Sequence, residues 1–217
     1  EMPLVNLVVD RFPKDLLRNG IALWFGKGLV KTKLSPNELA MEISKDKIKL
    51  EQIVDVSEND AKKITIDYAK KGIDFIEANK KYRNKLIESF DDRKRPWKYL
   101  IIATGNIYDD CAQAVSAAEC GADVIAVIRH TAQSLLDYVP HGITTEGFGG
   151  TYATQANFRL MRENLDKAGK KVSRYIRLTN YSSGLCMSEI AVMGAFERLD
   201  MLLNDSMYGI LFRDINM

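Results

Sequence analysis

Apolar and polar positions follow two different rhythms along this chain, and the change falls near residue 97. Before it, the spacing is helical. From Ser57 to Phe90, apolar residues such as Ala61, Ile64, Tyr68, Ile76, Tyr82 and Leu86 recur at mixed three- and four-residue steps with lysines between them, the period of an amphipathic helix. Gly72 is its one soft point, and Ser57 followed by Asp60 resembles a capping start. A shorter helix is expected after Ser35-Pro36, because proline suits the first helical position.

After residue 97, short apolar runs alternate with helical stretches. Strands are expected at 98–104, 123–128, 172–178 and 208–212. Helices are expected at 110–120, 155–168 and 188–199, the first stopping at Gly121 and the second at Gly169, as helix C-termini favour glycine. A strand that is apolar throughout is one covered on both faces, and repeated strand–helix units make a parallel sheet. An open doubly wound sheet and part of a (β/α)8 barrel both fit. No G-x-G-x-x-G follows the first strand, and Gly147-Phe-Gly-Gly150 lies within a connection, where a glycine cluster is a weak phosphate signal. Polar residues favour the barrel: Thr104, Asn106, Arg129, His130, Asn180, Ser183, Arg213 and Asp214 fall at or just beyond expected strand C-termini, which in a barrel converge on one mouth. The expectation is therefore an α/β fold, a TIM-type (β/α)8 barrel of which the first half is present, preceded by an N-terminal helical region. The domains would be 1–96, a helical accessory region, and 97–217, the half barrel; a half barrel leaves open sheet edges.

Composition sharpens this division. Of the 217 residues, 31 are Lys or Arg and 29 Asp or Glu, a net charge of +2. Residues 1–98 hold 21 basic and 16 acidic residues, against 10 and 13 in the remainder, so the helical part is the more charged. Acidic residues interleave with its lysines and no aromatic series accompanies them, which describes a solvated helix face rather than a nucleic-acid surface. No apolar run approaches the roughly 18 residues a membrane helix needs, and the first residues lack a secretory pattern. The three cysteines, Cys111, Cys120 and Cys186, form no C-x-x-C pair and read as reduced thiols in a cytoplasmic protein.

Candidate chemistry gathers at the strand ends. Arg129, Thr131, Gln133 and Ser134 form a dense donor set suited to a phosphate or carboxylate. His130 and His141 flank that segment without the grouped ligands of a metal site. Asn180, Tyr181, Ser182 and Ser183 follow the third strand; no G-x-S-x-G elbow is present, so hydrogen bonding is a better role for these serines than nucleophilic attack. Arg213-Asp214 reads equally as a structural pair or as ligand contacts, and Tyr208 as a core aromatic.

Four strings carry more than their spacing: Arg129-His-Thr-Ala-Gln-Ser-Leu-Leu-Asp-Tyr-Val-Pro140, Thr145-Glu-Gly-Phe-Gly-Gly-Thr-Tyr-Ala-Thr-Gln155, Asn180-Tyr-Ser-Ser-Gly-Leu-Cys-Met187 and Leu203-Asn-Asp-Ser-Met-Tyr-Gly-Ile-Leu-Phe-Arg-Asp-Ile-Asn-Met217. They closely resemble the large (alpha) subunits of the lysine 5,6-aminomutase family, densely from about residue 97 and more loosely before it. The resemblance implies an isomerase that uses adenosylcobalamin and pyridoxal phosphate to shift the terminal amino group of β-lysine or D-lysine by a radical route. It implies a small beta subunit that binds cobalamin through D-x-H-x-x-G and supplies the Schiff-base lysine; this chain has no such string. It assigns cofactor contacts to Arg129 and Ser134 at the phosphate, Ser183 facing the pyridine nitrogen, and Tyr208 stacked on the ring, which replaces the core reading. Asn180, Tyr181 and Arg213 would line the cofactor. A hydroxyl opposite the pyridine nitrogen would leave it unprotonated and weaken the electron sink that carbanion chemistry needs. The alternatives are a D-ornithine 4,5-aminomutase barrel component and a non-catalytic assembly subunit.

Overall fold

The computed structural model describes residues 4–90, 95–127, 142–143, 151–181 and 187–203. By compactness the chain divides between Phe75 and Ile76, inside its longest helix. The N-terminal unit holds α1 (Leu4–Val9), a 3-10 turn (Lys14–Asn19), α2 (Ala22–Thr32), α3 (Pro36–Ser44), a second 3-10 turn (Leu50–Gln52) and the first half of α4 (Glu58–Glu88). Val8, Phe12, Leu29, Leu39, Ile43 and Leu50 form its core. The helix expected after Ser35-Pro36 is present as α3, closed by a full capping box in which Ser35 and Glu38 satisfy each other's free backbone N–H groups. Ser57 starts α4, its Oγ accepting the Asp60 N–H at 3.1 Å. Gly26 is a close-approach site: a Cβ there would lie 2.6 Å from the Ala61 carbonyl oxygen.

The C-terminal unit is built on four strands, β1 (Tyr99–Ile102), β2 (Val124–Val127), β3 (Arg177–Tyr181) and β4 (Met201–Leu203), separated by α5 (Ile107–Glu119), α6 (Gln155–Val172) and α7 (Met187–Phe196). Every pairing is parallel, and the sheet order is β1-β2-β3-β4. That order settles the choice left open by the sequence. A doubly wound sheet reverses direction at a switch point, whereas consecutive strands in unbroken order are the arrangement of a (β/α)8 barrel. Alternate residues face α5 and α6: Ile102, Ile125, Val127, Ile176 and Leu178 join Ala114, Met161 and Leu165 in one core. The other residues of each strand, among them Ala126 and Thr179, occupy the face a closed barrel turns inward.

Several boundaries differ from the expected ones. Helix α5 begins at Ile107, three residues early, with Asn106 as its cap. Gly169 does not end α6, which runs on to Val172 and closes at Ser173 in the left-handed conformation. Gly169 is required for packing instead, since a Cβ there would sit 2.5 Å from the Arg174 carbonyl oxygen. The third strand accordingly starts at Arg177, not Val172, and carries Asn180 and Tyr181 within it. Helix α7 ends at Phe196, and Met201–Leu203 is a strand absent from the expected set. The strand expected at 208–212 lies outside the described residues.

The N-terminal edge of the sheet is an ion-pair layer. Asp123, just before β2, accepts the Lys98 N–H at 2.9 Å and pairs with Arg174 at 2.7 Å. Asp200, just before β4, has a side chain 2% exposed and accepts four hydrogen bonds: Arg83 Nε at 2.7 Å, Tyr175 Oη at 2.9 Å, Arg162 Nη1 at 3.3 Å and the Leu178 N–H at 2.8 Å. Arg83 belongs to α4, so the last turns of that helix are fastened to the base of the sheet. Burial and the Asp200 carboxylate hold the Tyr175 phenol above its ordinary range, with the Arg162 cation opposing. Among the described residues, no helix is long and apolar enough to cross a membrane.

Candidate functional site

In parallel strand–helix units, the helix N-termini and the strand C-termini share one end of the sheet. Among the described residues that end is polar but carries few charges. Asn106 Oδ1 caps α5 by accepting the Tyr108 N–H at 2.9 Å. Thr154 caps α6, accepting the Asn157 N–H at 3.1 Å while its hydroxyl donates to the Gly142 carbonyl at 2.6 Å. Between these caps sits Asp110, fully buried in the first turn of α5. Its Oδ1 accepts the Thr104 N–H at 2.9 Å and the Thr104 hydroxyl at 2.6 Å; its Oδ2 accepts the Thr151 hydroxyl. Thr104 and Asn106, both expected at the mouth, are thus spent on holding the β1–α5 turn.

Asn180 behaves differently. It is 1% exposed, and among the described residues neither its carbonyl nor its NH2 has a partner. The hydroxyl of Thr179 beside it is also buried and unpartnered. Leaving a buried polar group unpaired costs about 1–3 kcal/mol, so a donor–acceptor amide in this position fits a polar group bound at the end of β3.

Asn180 pairs across the sheet with Val127 and Leu202, on the helix-facing side, whereas Tyr181 lies on the inward side. A single ligand meets both only over the strand's end. The Tyr181 hydroxyl is already engaged with the Tyr99 hydroxyl at 2.8 Å, and burial together with that bond holds the Tyr99 phenol above its ordinary range. Cys111, beside Asp110, is a buried thiol pushed up to about 11 from an ordinary 9.0, by burial first and the Asp110 charge second.

Of the site residues expected from the sequence, Asn180 and Tyr181 are therefore placed on adjacent positions of β3. Arg129, Ser134, Ser183, Tyr208 and Arg213 lie outside the described residues. Asp110, Thr151 and Thr154 were not singled out by the sequence reading. The available signal was an aspartate in a helix's first turn, a few residues after a strand-end threonine.

With this geometry in hand, comparison with known proteins is specific. The whole chain, residues 1–217, matches the family described as the D-lysine 5,6-aminomutase TIM-barrel domain of alpha subunit. It is 54% identical over its full length to the lysine 5,6-aminomutase alpha subunit of Acetoanaerobium sticklandii and 53% identical to that of Fusobacterium nucleatum. It spans 42% of the length of each of these relatives. A more distant match, 40% identical over 54% of this chain and 16% of the relative, is the D-ornithine 4,5-aminomutase subunit beta of A. sticklandii.

Proposed function

Because this chain belongs to the family of the D-lysine 5,6-aminomutase alpha-subunit TIM-barrel domain, we propose that it is the cofactor-binding portion of the large subunit of a lysine 5,6-aminomutase. The reaction is an isomerisation in which the terminal amino group of β-lysine or D-lysine moves to the neighbouring carbon. The observation that carries this reading is identity above one half along the entire chain; the unpartnered amide of Asn180 adds a physical reason to expect a polar ligand at the mouth. Residues 1–96 form the helical accessory region and 97–217 the barrel portion. The enzyme works in the cytoplasm, with a small cobalamin-binding beta subunit that supplies the covalent lysine.

Pyridoxal phosphate, when bound, supplies a carbonyl for the substrate's amine and a ring that delocalises an unpaired electron, while adenosylcobalamin supplies the initiating radical. The residues of this chain bind and orient. Arg129 and Ser134 offer a cation and a hydroxyl to the phosphate dianion, a charge-assisted pairing. Ser183 would offer a neutral hydroxyl to the ring nitrogen, and Tyr208 an aromatic face to the ring. Asn180, Tyr181 and Arg213 would complete the polar lining. The D-ornithine match favours a second reading with a shorter substrate, but it covers half of the chain at lower identity, so lysine is preferred.

The test is borohydride trapping of pyridoxal phosphate in the assembled two-subunit enzyme, with the labelled peptide located by mass spectrometry. A label on a lysine of the small subunit is the expected result. A label on a lysine of this chain, or no incorporation, overturns the split-site reading.

A further inference from the structure

We propose that the Thr179 hydroxyl is a further ligand contact, binding an anionic oxygen inside the barrel together with the Tyr181 phenol, which Tyr99 positions; this rests on the proposed aminomutase reading, which supplies the oxygen.

Strand alternation decides which side chains enter the interior. With Ile125, Val127, Ile176 and Leu178 spent on the core against the helices, Thr179 falls on the opposite, inward face. Register stacks that face in layers. Thr179 shares its layer with Ile101, Ala126 and Met201, so its hydroxyl is the one polar side-chain group there among the described residues. It is 0% exposed, and its Oγ1 has no hydrogen-bond partner among the described residues. A hydroxyl withdrawn from water without a partner is unfavourable, and valine would fill the same space without that cost. A threonine at this position is accounted for by a polar group that enters the interior and bonds to it.

The neighbouring layers bring a second hydroxyl into play. Tyr99 lies one layer below Thr179, in register with Val124 and Arg177, and Tyr181 lies one layer above, in register with Leu203. Their phenols lean toward each other across the inward face, and the Tyr99 hydroxyl donates to the Tyr181 oxygen at 2.8 Å. That bond uses the Tyr99 proton and one lone pair of Tyr181, and it leaves the Tyr181 proton to be donated. Tyr99 therefore sets the direction in which Tyr181 can give its proton. Among the described residues, the inward strand positions carry three hydroxyls and the Arg177 guanidinium, and no carboxylate. A lining of donors without a competing carboxylate suits an anionic oxygen. In an aminomutase that oxygen belongs either to pyridoxal phosphate or to the carboxylate of the lysine substrate.

The experiment uses the assembled two-subunit enzyme carrying Thr179→Val, Thr179→Ser, Tyr99→Phe, Tyr181→Phe or both tyrosine changes. It reads pyridoxal phosphate affinity from the absorbance of the bound cofactor, KM for the lysine substrate, and the melting temperature of the cofactor-free protein. Thr179→Val keeps the shape and removes an unpartnered hydroxyl. It should weaken ligand binding by about fivefold, the worth of one hydrogen bond, with the cofactor-free melting temperature unchanged or higher, and Thr179→Ser should restore binding. The loss falls on pyridoxal phosphate affinity if the oxygen is the cofactor's, and on KM alone if it is the substrate's. Tyr99→Phe should cost a similar factor while Tyr181 keeps its hydroxyl, and nothing further once Tyr181→Phe has removed it. Thr179→Val that leaves both cofactor affinity and KM unchanged, or that lowers the cofactor-free melting temperature, makes the hydroxyl structural and overturns the proposal. An undiminished Tyr99→Phe loss in the Tyr181→Phe background overturns the positioning role. Wild-type enzyme that binds no pyridoxal phosphate sinks the aminomutase reading and this inference with it, whereas wild-type binding that Thr179→Val leaves intact, with KM unchanged, sinks only this inference.

Discussion

The two ends of the parallel sheet are built from different chemistry. At the strand N-termini, Asp123 and Asp200 sit among Arg174, Arg162, Arg83 and Tyr175, and each carboxylate is matched by cations and donors at 2.7–3.3 Å. At the strand C-termini, Thr104, Asp110, Thr151 and Thr154 are neutral save one, and Thr179 and Asn180 keep buried polar atoms without partners among the described residues. Among the described residues, one end is saturated and the other is not. In barrels of this type, the C-terminal end of the strands hosts chemistry and the opposite end stability.

Breaking the saturated end should produce the largest effect. Asp200→Ala removes the acceptor for Arg83, Tyr175, Arg162 and the Leu178 N–H at once. Removing one partner of a buried ion pair costs about 3–5 kcal/mol, and urea denaturation should register a loss of that size. A smaller loss is expected from Gly169→Ala. In an exposed helix interior this change is favourable by up to about 1 kcal/mol, but here the added Cβ meets the Arg174 carbonyl. Overpacking of this kind costs about 1–3 kcal/mol, so the sign should reverse and the midpoint should fall. Asn106→Ala, at the mouth, removes only a helix cap and should lower stability by about 1 kcal/mol.

Last comes a chemical contrast on α5. Cys120 is exposed and should react with a thiol reagent at about pH 8, while Cys111, its thiol pushed up to about 11, should react only on unfolding. The sign of the accompanying pH effect follows from that raised value. The folded state holds the Cys111 proton more tightly than the unfolded state. Its contribution is therefore complete below the ordinary thiol value of 9.0 and is lost as pH rises through about 11. Thiol titration against denaturant reads both.

How much of this was legible beforehand depends on the kind of signal. Periodicity carried α4 and the alternation of strands and helices, because burial on one face imposes a repeat that local sequence records, and the Ser35-Pro36 start carried α3. Order within the sheet was not legible, since pairing is long-range; the barrel was inferred from where polar residues fell, and the unbroken order β1-β2-β3-β4 supports it on independent grounds. Gly169 misled because a glycine at a helix end and a glycine at a close approach read the same until Arg174 is in place. Met201–Leu203 was missed because three residues show no period. Asn180 and Tyr181 were legible as polar residues at the end of the third strand. Asp110 was not, because its partner Thr151 lies 41 positions away.

The comparison between the two ends is tested most directly by Asn180→Leu, made alongside Asp200→Ala in the two-subunit enzyme, with unfolding free energy and pyridoxal phosphate affinity measured on both. Removing an unpartnered buried amide relieves a penalty of about 1–3 kcal/mol. Asn180→Leu should therefore leave stability unchanged or raised while weakening cofactor binding, whereas Asp200→Ala should lose stability. If Asn180→Leu destabilises the protein and leaves cofactor affinity intact, the mouth is no less structural than the base, and the account is contradicted.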